Sequence, residues 1–186
     1  MDEFMPSRRV LEKICSNSTP VRNYTYFPTN FNPDEMYKTF NPFIAGLIHQ
    51  IAEHYQWDVN LMENMNTQAI VLVVDALSNA VVHGSKNRNP VIMGLFMGEN
   101  GVCYGFRDSG DFFKSEKTKH ILENKLNIEE FDKSALASEF ECCNLGFKAS
   151  IYPNVDDIEI DTKKGVFYCV QLKDGCLSAK NYKIKK

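Results

Sequence analysis

Asp75, Asn79 and His83 stand at four-residue intervals in the stretch "VLVVDALSNAVVHGSKN", residues 71–87. On an α-helix that spacing returns each side chain to nearly the same side, so a carboxylate, a carboxamide and an imidazole form a ladder one turn apart. Buried polar groups of this kind are costly unless they are satisfied. The ladder therefore either reaches polar partners or lines a site for a polar ligand.

The helix that must carry the ladder begins at a capping Asn66 or Thr67 and runs to Gly84, which is well placed as its C-terminal glycine. Wound at roughly 100° per residue, it gathers Ile70, Val73, Val74, Leu77 and Val81 in one sector and Gln68, Asp75, Asn79 and His83 in the opposite one. A solvent-exposed polar face would produce the same ladder, and a histidine in a last helical turn is also favoured by the helix dipole. Yet no Lys or Glu stands between Gln68 and Lys86, where a fully wet face usually carries them.

Around this helix the chain reads as strand, helix, helix, helix, hairpin, long loop, short helix, hairpin. "VRNYTYF" (Val21 to Phe27) alternates like a strand. The pairs Asn32-Pro33 and Asn41-Pro42 each fit a cap followed by proline at the first helical position, predicting a short helix and then a longer one. The longer one sets Phe43, Leu47, Ile51 and Tyr55 in one row, flanked by Ile44 and Ile48, and leaves His49 and His54 facing water. "PVIMGLFMG" and "GVCYGFRD" form a hairpin about Asn100-Gly101, and "DDIEID" with "GVFYCVQLKD" forms a second about "TKKG". The charged stretch from Asp111 to Cys143 reads as an inserted segment, and "NLGFKASIYP" as a short helix ended by Pro153. These elements predict an α+β two-layer sandwich, a mixed and mostly antiparallel sheet with helices covering one face. Residues 1–20 read as a loosely attached, flexible arm, 21–177 as the folded domain and 178–186 as a basic tail.

With 186 residues, 44% of them hydrophobic, the chain is long and apolar enough for one substantial core. No apolar run approaches the roughly 20 residues of a membrane span, and "MDEFMPSRRV" lacks a signal peptide's apolar centre, so no membrane partner and a cytoplasmic setting are expected. A net charge of −3 offers no general attraction to phosphate backbones, which argues against nucleic acid. Four lysines in the last nine residues read as a solvated tail. The six cysteines lack a C-x-x-C pair, so reduced, structural thiols are expected.

The segment "DALSNAVVHG" resembles the N-box of the GHKL (histidine kinase-like) ATPase superfamily, written E-x-x-x-N-A-x-x-H, and is most similar to that of the anti-sigma-factor serine kinases. The resemblance implies a Bergerat-type ATP-binding fold and a regulatory protein that binds Mg-ATP, acting on a protein partner, with a homodimer as one possible assembly. It implies that Asn79 is the Mg²⁺ ligand, that Asp75 stands where the family's glutamate is general base, and that His83 lies near the phosphates. "RDSGDFF" supplies Asp108 and Gly110 where the family has Asp-x-Gly-x-Gly, whose aspartate accepts from the adenine amine; an ordinary Asp-Ser-Gly turn has the same composition. Asp111 replaces the second glycine. "CCNLGFKAS" stands in the place of the phosphate-holding glycine loop, with Asn144 and Gly146 as its remnants and Lys148 adding a positive charge, although a single glycine in a first turn also suits packing. The segment from Asp111 to Cys143 lies where the family has its ATP lid. The likeness spans about Thr25 to Lys173.

Aspartate at position 75 withdraws the carboxylate by about 1 Å relative to glutamate, and a misplacement of that order costs on the order of 100-fold in rate. ATP binding is thus expected to outlast phosphoryl transfer. The alternative is a non-catalytic GHKL-fold interaction module. Magnesium suits the ladder, because it takes few protein oxygens and completes its shell with phosphate and water.

Overall fold

A computed structural model describes residues 4–27, 33–57, 72–84, 90–108, 154–161, 163–173 and 176–177. Strands β1 (Val21–Phe27), β2 (Val91–Gly98), β3 (Gly101–Arg107), β4 (Asp157–Asp161) and β5 (Gly165–Lys173) form an antiparallel sheet in the order β1-β2-β3-β5-β4. The short β6 (Cys176–Leu177) pairs with the end of β5. Three helices pack on this sheet: α1 (Arg8–Ile14), α2 (Pro33–Tyr55) and α3, helical over 72–84 among the described residues. The expected α+β sandwich is what forms, with every described strand pair antiparallel.

The pleat assigns each residue a side. Val91, Met93, Leu95 and Met97 of β2 join Val102, Tyr104 and Phe106 of β3 and Val166, Tyr168 and Val170 of β5 in the larger core, which α2 and α3 cover. From α2 come Phe40, Ile44, Leu47, Ile48 and Ile51, and from α3 come Leu72, Val73, Ala76, Leu77 and Val81. Each such side chain, fully buried, contributes about 1.5–3 kcal/mol.

Pro33 and Pro42 were expected to open separate helices, but α2 is continuous and holds Pro42 inside it. An interior proline removes one helical hydrogen bond and crowds the preceding turn. Here Phe40 and Ile44 lie in the same core on either side of Pro42, so packing of a single apolar stripe outweighs that loss. The helix ends at Gln56, whose φ of 53° is left-handed. Gln56 N–H donates to Glu53 and Trp57 N–H to Ala52, the paired bonds of a Schellman cap. His49 is exposed as expected, whereas His54 is half-buried, its ring 4.7 Å edge-on from Tyr55.

The other face of the sheet is also covered, contrary to the one-sided packing and loose arm expected of residues 1–20. Phe4, Val10, Ile14 and Cys15 bury against Phe96, Cys103, Phe167 and Cys169. Gly94 and Gly105 face each other across β2 and β3, and the space a Cβ would fill is taken by Phe96 and Phe4 at Gly94 and by Phe167 and Phe4 at Gly105. Phe4 sits there with ring centroids 6.0 Å from Tyr24, 6.5 Å from Phe96 and 5.5 Å from Phe167. No hydrophobic periodicity announces so short a helix, which is why the sequence pattern concealed it. Cys15, Cys103 and Cys169 are free, buried thiols, and burial pushes all three above the usual thiol range.

Ionic contacts hold the same segment. Arg9 and Lys13 both donate to Asp157, which is 4% exposed, and Ser7 donates to Glu159 through its backbone N–H at 2.8 Å and its hydroxyl. At the other end, Glu99 in the β2–β3 turn accepts from Ser16 N–H at 2.5 Å, Asn17 N–H at 3.0 Å and the Ser18 hydroxyl. Asn100 N–H donates to the Ile14 carbonyl at 2.8 Å. The hairpin therefore turns on Glu99 and Asn100, with Gly101 already paired to Gly98, rather than on Asn100-Gly101.

Burial by itself would raise the Asp157 carboxyl, but the Lys13 hydrogen bond and the charges of Arg9 and Lys13 more than offset it and hold the group below its usual range. The hydroxyl of Ser18 and the Asn17 and Ser16 amides hold Glu99 at about 2. Carboxyls lowered in the folded state stabilise it above the unfolded carboxylate range, and that contribution is lost as pH falls through the folded values. Resistance to denaturant is thus expected to fall steadily as the pH is lowered from about 4 to about 2. Asp157→Asn combined with Glu99→Gln should be less stable at pH 7 and show a flatter pH profile; an unchanged profile would remove these carboxyls from the docking of α1.

Candidate functional site

The polar ladder begins on α3. Leu72, Val73, Ala76, Leu77, Ala80 and Val81 are buried, whereas Val74, Asp75, Ser78 and Asn79 are half-buried. The side bearing Asp75 and Asn79 is thus partly covered, not fully wet. Val74, expected in the core sector, packs only at its margin. His83 falls in the last turn, and its side chain is outside the described structure.

That last turn, Ala80–Gly84, is a π-helix. Single π turns inside α-helices recur at functional sites, since one extra residue per turn redirects the backbone. Gly84 was expected to serve as a left-handed C-terminal glycine. It does not: the positive-φ glycines of the described residues are Gly101 and Gly165. What Gly84 provides is space, because a Cβ there would fall onto the carboxylate of Asp108. The residue directly after β3 is thereby brought against the end of the helix that carries Asp75 and Asn79. This contact joins two of the sequence-identified segments, "DALSNAVVHG" and "RDSGDFF".

Asp108 is half-buried. Its charge also reaches Tyr168 on β5, whose phenol is pushed well above the usual range, first by complete burial and then by that neighbouring carboxylate. Phe106 and Tyr168 are both buried in the larger core, their rings 5.8 Å apart. Sequence patterns give no sign of the Gly84 space, because it arises from the packing of α3 against the end of β3.

Asp75 and Asn79 offer oxygen atoms one turn apart on a half-buried side, as magnesium requires of its few protein ligands. Among the described residues, no cluster of three or more His, Cys, Asp or Glu could hold a metal ion by itself. Gly110, Asn144, Gly146 and Lys148 lie outside the described residues, as do Asn66, Thr67 and the segment from Asp111 to Cys143.

A separate open groove of about 220 Å³ lies between β1 and α2, floored by Met93 and Leu95 and edged by Asn23, Thr25 and Gln50. Asn23 donates to Gln50 at 3.0 Å across it, and its lining has no ionisable side chain apart from Tyr24. No described helix is long and apolar enough to cross a membrane. No protein-family model matches the chain, and no curated protein sequence matches it.

Glycine-to-alanine replacement within a helix normally stabilises by roughly 0.5–1 kcal/mol. At Gly84 the sign should reverse: Gly84→Ala is expected to cost about 1–3 kcal/mol in urea unfolding, since the new methyl must displace Asp108. Pairing it with Asp108→Ala should recover part of that loss, and a simple sum of the two single effects would show that the groups do not touch.

Proposed function

We propose that this chain is a cytoplasmic ATP-binding regulatory protein of the anti-sigma-factor serine-kinase type, which binds Mg-ATP and acts on a protein partner. The observation that carries the reading is the Asp108 carboxylate against Gly84: the two motifs that resemble the family's magnesium and adenine boxes, far apart in the chain, meet at one end of α3. Half-burial of Asp75 and Asn79 on the adjoining side supports it as well.

In this reading Asn79 would hold Mg²⁺ through its side-chain oxygen, and Asp108 would accept a hydrogen bond from the adenine amine. His83, Gly110, Asn144, Gly146 and Lys148 are assigned to the phosphates by the same resemblance. Bound ATP supplies a phosphoryl group, and Asp75 is the candidate base for a partner's serine hydroxyl. The short aspartate side chain at this position favours a second reading, in which the chain binds nucleotide and partner without transferring phosphate.

Mg-ATP should raise the melting temperature of the wild-type chain, and Asn79→Ala should abolish the rise. At 100 times its Kd a ligand adds about 2.7 kcal/mol of stability, a shift of several degrees for a domain of this size. Absence of any shift with adenine nucleotides removes the ATP reading. Asp75→Asn separates the two remaining possibilities: under the kinase reading it binds ATP but loses partner phosphorylation, whereas a binding module retains its full effect.

A further inference from the structure

Successive residues at the end of β3 point to opposite faces of the sheet. Phe106 lies in the core under α2 and α3. Arg107 lies on the other face, its guanidinium carbon 5.9 Å from the centroid of the Phe4 ring. Asp108 returns to the first face and meets Gly84. One peptide unit thus separates a side chain held by the N-terminal segment from the carboxylate that reaches α3.

The socket that holds Phe4 is built for an aromatic ring. Gly94 and Gly105, opposite each other in the register, leave the sheet bare at one point, and Tyr24, Phe96 and Phe167 wall it. A Cβ on Gly94 would lie 3.0 Å from the Phe4 ring, and one on Gly105 3.2 Å from it. Tyr24 donates its hydroxyl to the Phe4 carbonyl at 3.4 Å, and the rest of the segment is secured by Asp157, Glu159 and Glu99 as described above. A guanidinium over an aromatic face is attracted by the ring's quadrupole, so the seated Phe4 sets where Arg107 lies.

We propose that Phe4 and Arg107 are positioning residues for Asp108: the N-terminal segment, docked on the far face of the sheet, fixes the end of β3 and so holds the Asp108 carboxylate in place at the end of α3. This rests on the nucleotide reading for its consequence, which is that docking of residues 4–14 controls adenine affinity and the choice of adenine over guanine. The segment then acts as a regulatory element, since whatever lifts it from the socket loosens the opposite side.

The experiment compares the full-length wild type with Phe4→Ala, with Phe4→Leu and Arg107→Met as milder variants should the first fail to fold, and with Arg8→Ala as a control on the same helix. The Arg8 side chain is 92% exposed and, among the described residues, is paired along the helix to Glu12. Calorimetric titration with Mg-ATP and Mg-GTP is read together with amide hydrogen exchange. Phe4→Ala is expected to lose about tenfold in ATP affinity, the value of a misaligned hydrogen bond to a charged group, with GTP affinity unchanged. Arg8→Ala should match the wild type. Faster exchange at residues 4–14 in Phe4→Ala with both affinities intact overturns the positioning role while leaving the nucleotide reading standing. If the wild type takes up neither nucleotide, that reading falls by itself. The exchange of Arg107 and Asp108 then decides: faster in Phe4→Ala than in Arg8→Ala upholds the positioning role, and equal rates overturn it.

Discussion

The absence of a side chain at Gly84 lets the Asp108 carboxylate reach the end of α3, and the arrangement of the candidate site follows from that contact. A β-strand delivers its terminal residue only as accurately as its pairing holds it. β3 is an interior strand, paired to β5 as far as Phe106 and to β2 as far as Arg107, which sets its course up to the residue before Asp108. The helix is fixed in turn by Leu72, Val73, Ala76, Leu77 and Val81 in the common core. The π turn over Ala80–Gly84 then determines where the last residues of the helix present their backbone. Asp108 meets Gly84 at this end because rigid parts bring the two together.

Covering both faces of a small antiparallel sheet distinguishes this chain from a two-layer sandwich with one face in water. The second cover is only seven helical residues long, too short to be stable alone. It persists because Phe4, Val10 and Ile14 bury against the sheet and because buried Asp157 is answered by two cations. Removing one partner from such a buried charge cluster is more damaging than the net worth of the cluster suggests, since the remaining charge is left in a poor solvent. The segment is therefore held by a few strong, localised contacts instead of an extended apolar interface.

Elements with regular patterning were legible in the sequence. The strand-forming run "VRNYTYF", the two late hairpins and the row Leu47, Ile51 with Ile44 and Ile48 all found their expected structures, and the helical row reports directly on which side meets the core. Local rules failed where distant contacts override them. Pro42 signalled a helix start, yet burial of Phe40 and Ile44 carries the helix through it. Asn100-Gly101 signalled a tight turn, yet the carboxylate of Glu99, held by residues 16–18, shifts that turn by one position. The N-terminal helix has too few residues for a periodic signal, and its anchor, Phe4, lies outside the helix. For the site, Asp75 and Asn79 were visible as a ladder and Asp108 as a turn, while the approach of Asp108 to Gly84 depends on how α3 packs against the end of β3, which no local pattern encodes.

A hydrogen-exchange footprint of the wild-type chain with and without saturating Mg-ATP addresses the location of the site most directly. Protection concentrated in residues 72–84 and 105–108, with the groove between β1 and α2 unaffected, is the expected result. Protection centred on Asn23, Thr25 and Gln50, or none anywhere in the described fold, contradicts a nucleotide site at the meeting of α3 and Asp108.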